Sequence, residues 1–173
     1  MKHIFNLLFV AILLIGCEEY DYLEDQGFDL EELPAYVAFN APGNQVTLPD
    51  EEVSEADGSV ALSVEVPTGS LSDVTVNYEF SGSAVFGTDF TVDGASAAGG
   101  TMTIELDPTN FNDFQNSDLE ITLLTDDVED GDKTLTVTLV SAQNVEGNTY
   151  AVGRGGTEFL RTANVIIADV DGE

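Results

Sequence analysis

Of the chain's 173 residues, 33 are Asp or Glu, and those that could do chemistry sit where strand-like stretches begin or end. Five carboxylates (Asp126, Asp127, Glu129, Asp130 and Asp132) crowd into TDDVEDGD, directly before the alternating Leu135, Val137 and Leu139. Glu51, Glu52, Glu55 and Asp57 precede another such run, Asp89 lies in GTDF, and Asp169 and Asp171 close a third. Two unit charges 4 Å apart repel by roughly 4 kcal/mol at an effective dielectric near 20. Lys133 alone cannot offset several such pairs. If these groups converge, the chemistry they imply is capture of a cation by oxygen ligands. Calcium takes about six to eight oxygens in forgiving geometry, whereas magnesium dehydrates reluctantly and wants fewer protein ligands. Zinc is a poor match for a donor set without His or Cys.

The N-terminus removes the other chemistries. MKHIFNLLFVAILLIGC begins with basic residues and continues as an apolar run too short for a membrane span of about 20 residues, the pattern of a secretory signal. Its ending, Leu14-Ile15-Gly16-Cys17, resembles a bacterial lipobox. That resemblance implies cleavage before Cys17 and acylation of its sulfur and amine, and several acyl chains anchor stably where one does not. The single His (His3) and the single Cys (Cys17) are then both unavailable to the folded part. Catalytic triads, Cys-His pairs and haem or zinc ligation lose their usual residues, and no intrachain disulfide can form. Beyond Cys17 the bases are Lys133, Arg154 and Arg161, so the surface repels nucleic acid, which needs Lys and Arg to displace counterions. Localisation is expected at the outer membrane, on the periplasmic or the cell-surface side.

The elements that must position the acids follow a period of two. Residues 1–16 read as the signal peptide, and residues 17–34, with eight acids and no base after Cys17, as an extended tether. From Ala35 to the end, Val60/Leu62/Val64/Val66 alternate with small or polar residues, as do Val74/Val76/Tyr78/Phe80. The same holds for Met102/Ile104/Leu106, Leu119/Ile121/Leu123, Leu135/Val137/Leu139 and Val165/Ile167. Taking Ala35 to Leu48 as one broken strand gives about seven strands, the others beginning near residues 59, 73, 101, 119, 134 and 161. The turn residues between them and the lack of an amphipathic helix predict an all-β fold, an antiparallel Greek-key β-sandwich over residues 35–173. In a sandwich each crossing strand carries the chain to the opposite pole. By that parity the loops with Glu55, Asp89, residues 125–132 and Asp169/Asp171 all emerge at one pole, provided residues 89–93 are not a full crossing strand.

An EF-hand is excluded, because starting it at Asp126 places Val128 and Val137 at ligand positions. Four segments in order, VSEADGSVALSVEV, SGSAVFGTDF, ITLLTDDVEDGDKTLTVTLV and ANVIIADVDGE, resemble the Calx-beta domain family of calcium-binding sandwiches. The resemblance spans roughly residues 49 to 171 and implies an Ig-like fold. It also implies ligands at Glu55 and Asp89, and at Asp126 and Asp130 of the acidic loop, with Asp127 taking part if the loop carries a one-residue gap. The family's closing triple aspartate falls on Asp169-Val170-Asp171. Thr125 and Val170 stand where aspartates are expected, and Lys133 where a glutamate is usual. One Ca2+ site is therefore expected, a second being weaker at best.

Two further stretches have simpler readings. Gly153-Arg154-Gly155-Gly156 is expected to be a flexible loop, since it lacks the Lys-Ser/Thr ending of a phosphate loop. Phe111 and Phe114, in TNFNDFQNSD, are expected to pack within their own connection, the alternative being an exposed binding spot at the opposite pole. The function expected is a non-enzymatic, lipid-anchored, calcium-binding module for adhesion or interaction at the cell envelope, meeting a surface protein or glycan. A different class, a glycan-binding accessory lipoprotein of a nutrient-uptake complex with no metal requirement, is disfavoured by the absence of Trp. A two-carboxylate glycosidase is the remotest class, with neither size nor motif in its favour.

Overall fold

The structure is a computed structural model, and it describes residues 35–43, 45–67, 70, 72–107, 109, 113–126 and 128–171. Among them are ten strands: β1 (Tyr36–Phe39), β2 (Glu51–Ser54), β3 (Ser59–Val66), β4 (Val74–Gly82), β5 (Phe90–Thr91), β6 (Gly99–Ile104), β7 (Gln115–Leu123), β8 (Lys133–Asn144), β9 (Thr149–Val152) and β10 (Thr162–Ala168). Seven correspond to the strands expected from alternation. The three extra ones (β2, β5 and β9) are short, and too brief for a period of two to announce them.

Strands β1, β3, β7 and β5 form one leaf, in that order, and β6, β4, β8, β10 and β2 form the other. β9 joins the leaves along one side, antiparallel to β8 and parallel to β1. β2 lies parallel to β10, so the sandwich is mainly but not wholly antiparallel. The alternating residues fill the space between the leaves: Val60, Leu62, Val64, Val66, Ile121, Leu135, Val137 and Val165 are all buried in one core. Burying such a side chain is worth about 1.5–3 kcal/mol. The registers pair like with like, Leu62 opposite Leu119 and Val165 opposite Leu135.

Two departures from simple alternation mark the sheet, one in its middle and one at the charged pole. In β8 the register against β4 slips, so that Asn77 faces Ser141 and Tyr78 faces Leu139. Val140 is the additional residue, a β-bulge that turns it outward and lets both Leu139 and Ala142 point inward. At the end of β4, Gly82 has a φ of 111°, and a Cβ there would collide with the Thr134 carbonyl oxygen. Glycine thus allows β4 to run closely beside the start of β8 and deliver the GTDF turn to the same end of the sandwich.

β5 is only two residues long and pairs with the end of β7, so residues 89–93 do not cross the sandwich. The condition on which convergence of the acidic loops depended is met. Phe90 from this segment is buried, and its ring meets Phe80 edge-on at 5.1 Å and Phe86 at 5.6 Å. That aromatic cluster seats the residue next to Asp89.

Candidate metal centre

Five of the sequence-predicted acids, Glu55, Asp89, Asp126, Asp130 and Asp169, line one cleft with Lys133, and Asp171 adjoins it through Asp169. Asp127 and Cys17 lie outside the described residues. Glu55, Asp89, Asp169 and Asp171 are half-buried, whereas Asp126 and Asp130 are exposed. One carboxylate oxygen from each of Glu55, Asp169 and Asp171 lies within 4.8 Å of the others.

Each group is fixed by its own piece of backbone. Glu55 opens a single 3-10 turn (Glu55–Asp57) whose preceding Ser54 accepts a bond from the Ala56 N–H at 3.1 Å. Asp57 reciprocates by accepting from the Ser54 N–H at 2.7 Å, so it caps the turn that aims Glu55. Asp89 accepts from the Val85 N–H at 2.5 Å, and its carbonyl accepts from the Leu124 N–H at 2.9 Å. The GTDF turn is thereby tied to the start of the acidic loop. Within that loop Asp126 accepts from the Val128 N–H at 2.8 Å, a local Asx turn.

Asp169 is the organising residue. Its Oδ2 accepts from the backbone N–H groups of Asp130 at 2.7 Å and Gly131 at 2.6 Å, and its Oδ1 from that of Asp171 at 2.8 Å. These donors, Gly131 foremost, hold the Asp169 carboxyl below its ordinary value, with Lys133 adding to the effect. In the other direction the Asp169 N–H donates to Asp132 at 3.2 Å, and the Val170 N–H donates to Glu55 at 3.2 Å. Val170 stands where the resemblance implied an aspartate, yet its backbone N–H supplies a fastening to Glu55 that carries no sequence signal. Asp132 likewise serves the loop's architecture.

Lys133 Nζ lies 2.9 Å from Asp130 Oδ2 and 3.1 Å from the Asp130 carbonyl oxygen. The hydrogen bond to Asp130 raises its ammonium above the ordinary lysine value, and the charges of Asp130, Asp89 and Asp169 act in the same sense. The donor set is wholly oxygen, and its charge already attracts a resident ammonium. Both features fit a hard divalent ion such as calcium.

At the far end of β3 lies a contact that alternation hid. Glu65 is buried, and Arg154 Nη2 meets its Oε1 at 2.9 Å while Nη1 donates to the Gln45 carbonyl at 3.0 Å. Gly153-Arg154-Gly155-Gly156 is therefore a pinned loop, not the flexible one expected; Gly153 has a φ of 85°, and a Cβ there would collide with the Thr157 carbonyl oxygen. Phe114 does not pack within its connection but stands 56% exposed, and Phe111 lies outside the described residues.

No family model matches the chain, and no curated protein matches it. Solved structures do. The apo-form of the Calx CBD1 domain shares 22% identity over 80% of this chain and 100% of its own, with a TM-score of 0.54. The Calx CBD2 domain shares 16% identity over 79% and 88%, with a TM-score of 0.53. A structure described as the calcium binding domain CBD12 of CALX1.1 shares 25% identity, with a TM-score of 0.51; it covers 80% of this chain, which spans 45% of that one. The fold is thus that of a Calx-beta-type β-sandwich.

Proposed function

We propose that the chain is a lipid-anchored, non-enzymatic β-sandwich that binds calcium at its acidic pole and serves adhesion or interaction at the cell envelope, as an outer membrane lipoprotein. The observation that carries the calcium reading is the approach of Glu55, Asp169 and Asp171, whose oxygens come within 4.8 Å of one another from two segments far apart in sequence. Likeness of fold to domains described as calcium-binding supports it. Asp89, Asp126 and Asp130 supply further oxygens around the same cleft. Calcium there would neutralise the pole and bind together the 3-10 turn, the acidic loop and the exit of β10. The lipid anchor rests on the Leu14-Ile15-Gly16-Cys17 motif.

The test is a thermal melt of the full chain in EDTA and then in calcium, with magnesium as control. Extracellular calcium modules have Kd values on the order of 10⁻⁴–10⁻³ M. At ten times Kd, binding adds about 1.4 kcal/mol, or roughly 3–6 °C in Tm. A rise with calcium alone, abolished in the Asp169→Asn/Asp171→Asn double variant, supports the reading; an unchanged melt makes the pole a merely solvated surface. For the anchor, Cys17→Ser is expected to move the protein from the detergent phase to the aqueous phase on phase separation.

A further inference from the structure

Among the described residues, β2 ends one side of its leaf and β6 the other, while β7 runs past the two-residue β5 with most of its outer edge bare. An edge strand presents a row of unpaired N–H and C=O groups, which proteins commonly guard with charged side chains, bulges or short length. β2 carries Glu51 and Glu52, and β7 carries Asp118 and Glu120, all four exposed. β6 has no such guard. Its sequence, Gly99-Gly100-Thr101-Met102-Thr103-Ile104, contains no charge and no proline, and its register with β4 is unbroken over six residue pairs. In a chain with 33 acids against four Lys and Arg, this is the bare edge with least to repel a second copy.

We infer that β6 is an interaction edge for a second copy of this chain, pairing antiparallel with that copy's β6 about a twofold axis at Met102. The middle of the strand, Thr101-Met102-Thr103, reads the same in both directions. Antiparallel pairing on that axis sets Met102 opposite its counterpart and Thr101 opposite Thr103 on both flanks. Thr101 and Thr103 are exposed on the outer face of the leaf. Met102, level with buried Val76, is half-buried on the inner face and packs on the core. The pairing thus joins hydroxyl to hydroxyl outside and thioether to thioether inside, and cross-strand Thr pairs are favourable. Both copies use the same surface, so the contact closes as a dimer and does not propagate. Glu105, directly after β6, then stands opposite Gly99 of the second copy, whose neighbour on β4 is Glu79. Those acids lie about 10 Å apart across two strand spacings, so they oppose the dimer until salt screens them.

The experiment is sedimentation equilibrium of the full chain in a nonionic detergent, with EDTA throughout so that the outcome is independent of the calcium reading. Wild type is expected to dimerise, on the order of tenfold more tightly at about 0.5 M salt than at about 0.01 M. Thr101→Glu/Thr103→Glu, at exposed positions that leave the core alone, is expected to remain a monomer at both. Disulfide capture fixes the axis. Directly opposed residues of an antiparallel pair have Cα atoms about 4.5–5.5 Å apart, a separation that a disulfide spans. Met102→Cys is expected to form a covalent dimer on mild oxidation, linked through residue 102. Wild type, which carries Cys17 alone, and Ser141→Cys, two strands away on β8, are the controls. A wild type that stays monomeric in both salts would overturn the inference, whether or not β6 then accepts a strand from another protein. So would a dimer that Thr101→Glu/Thr103→Glu leaves intact, or a Met102→Cys that links no better than Ser141→Cys. Should the double variant not fold, the comparison of Met102→Cys with Ser141→Cys decides alone.

Discussion

The Asp169 carboxylate accepts the Gly131 backbone N–H at 2.6 Å, joining the exit of the last strand to the acidic loop 38 residues earlier. The same oxygen takes the Asp130 N–H. One side chain thus closes the loop and presents its second oxygen toward Asp171, so architecture and metal affinity are coupled at a single position.

Asp169→Ala should therefore act twice. In EDTA the melt is expected to fall by roughly 2–4 °C, the amount a modest loss causes in a chain of this size, because two loop N–H groups lose their acceptor. In calcium the wild-type rise should vanish. Asp57→Ala, by contrast, loosens the turn that aims Glu55 and should weaken calcium binding without abolishing it. Parallel melts in EDTA and calcium distinguish the two variants.

Acid should reveal Asp169 separately. Its carboxyl is lowered in the folded state, so its contribution to stability is fully present above the unfolded carboxylate value, about 3.9. That contribution is lost as pH falls through the lower folded value. The gap in stability between wild type and Asp169→Asn in EDTA is thus expected to be constant from pH 7 to about 5 and to shrink below about 4. A gap that stayed level down to about pH 2.5, followed by denaturation at each pH, would show that its carboxylate charge contributes nothing.

Breaking the pair at the other end should cost more. Arg154→Ala leaves Glu65 buried without its guanidinium. Loss of one partner from a fully buried pair typically costs ~3–5 kcal/mol, which the partial exposure of Arg154 reduces to about 2–3 kcal/mol. The double variant Glu65→Leu/Arg154→Leu is expected to recover most of that loss, since no charge is then stranded. Urea denaturation of the three proteins gives the comparison.

Gly82→Ala tests the close approach of β4 and β8. Its positive φ and the Thr134 carbonyl both oppose a Cβ, so a loss of about 2 kcal/mol or more is expected. Because Gly82 leads into the GTDF turn, calcium affinity should fall as well. Titration in the folded variant measures this second effect.

Alternation alone revealed which residues face inward. Val60 to Val66, Leu119 to Leu123 and Leu135 to Leu139 announced strands because the side-chain period of a strand is a local property of the chain. The order of four acidic, turn-bounded segments likewise announced the sandwich and its charged pole. What lay beyond the sequence depends on partners distant along it. Glu65 occupies a polar position of its strand by sequence, yet it is buried because Arg154, 89 residues away, reaches it. Val140 reads as one more strand residue and becomes a bulge only against β4. Asp132 is indistinguishable by type from Asp169, yet it accepts the Asp169 N–H from 37 residues away, a bond that only the meeting of the acidic loop with the exit of β10 creates. Only the parallel docking of β2 on β10 brings Glu55 to Asp169 and Asp171. The sequence by itself determined the seven longer-patterned strands, the core they bury and the pole's charge. Which carboxylates meet, and where Lys133 sits among them, was decided by tertiary register, because that register is set by pairings between segments that no local pattern encodes.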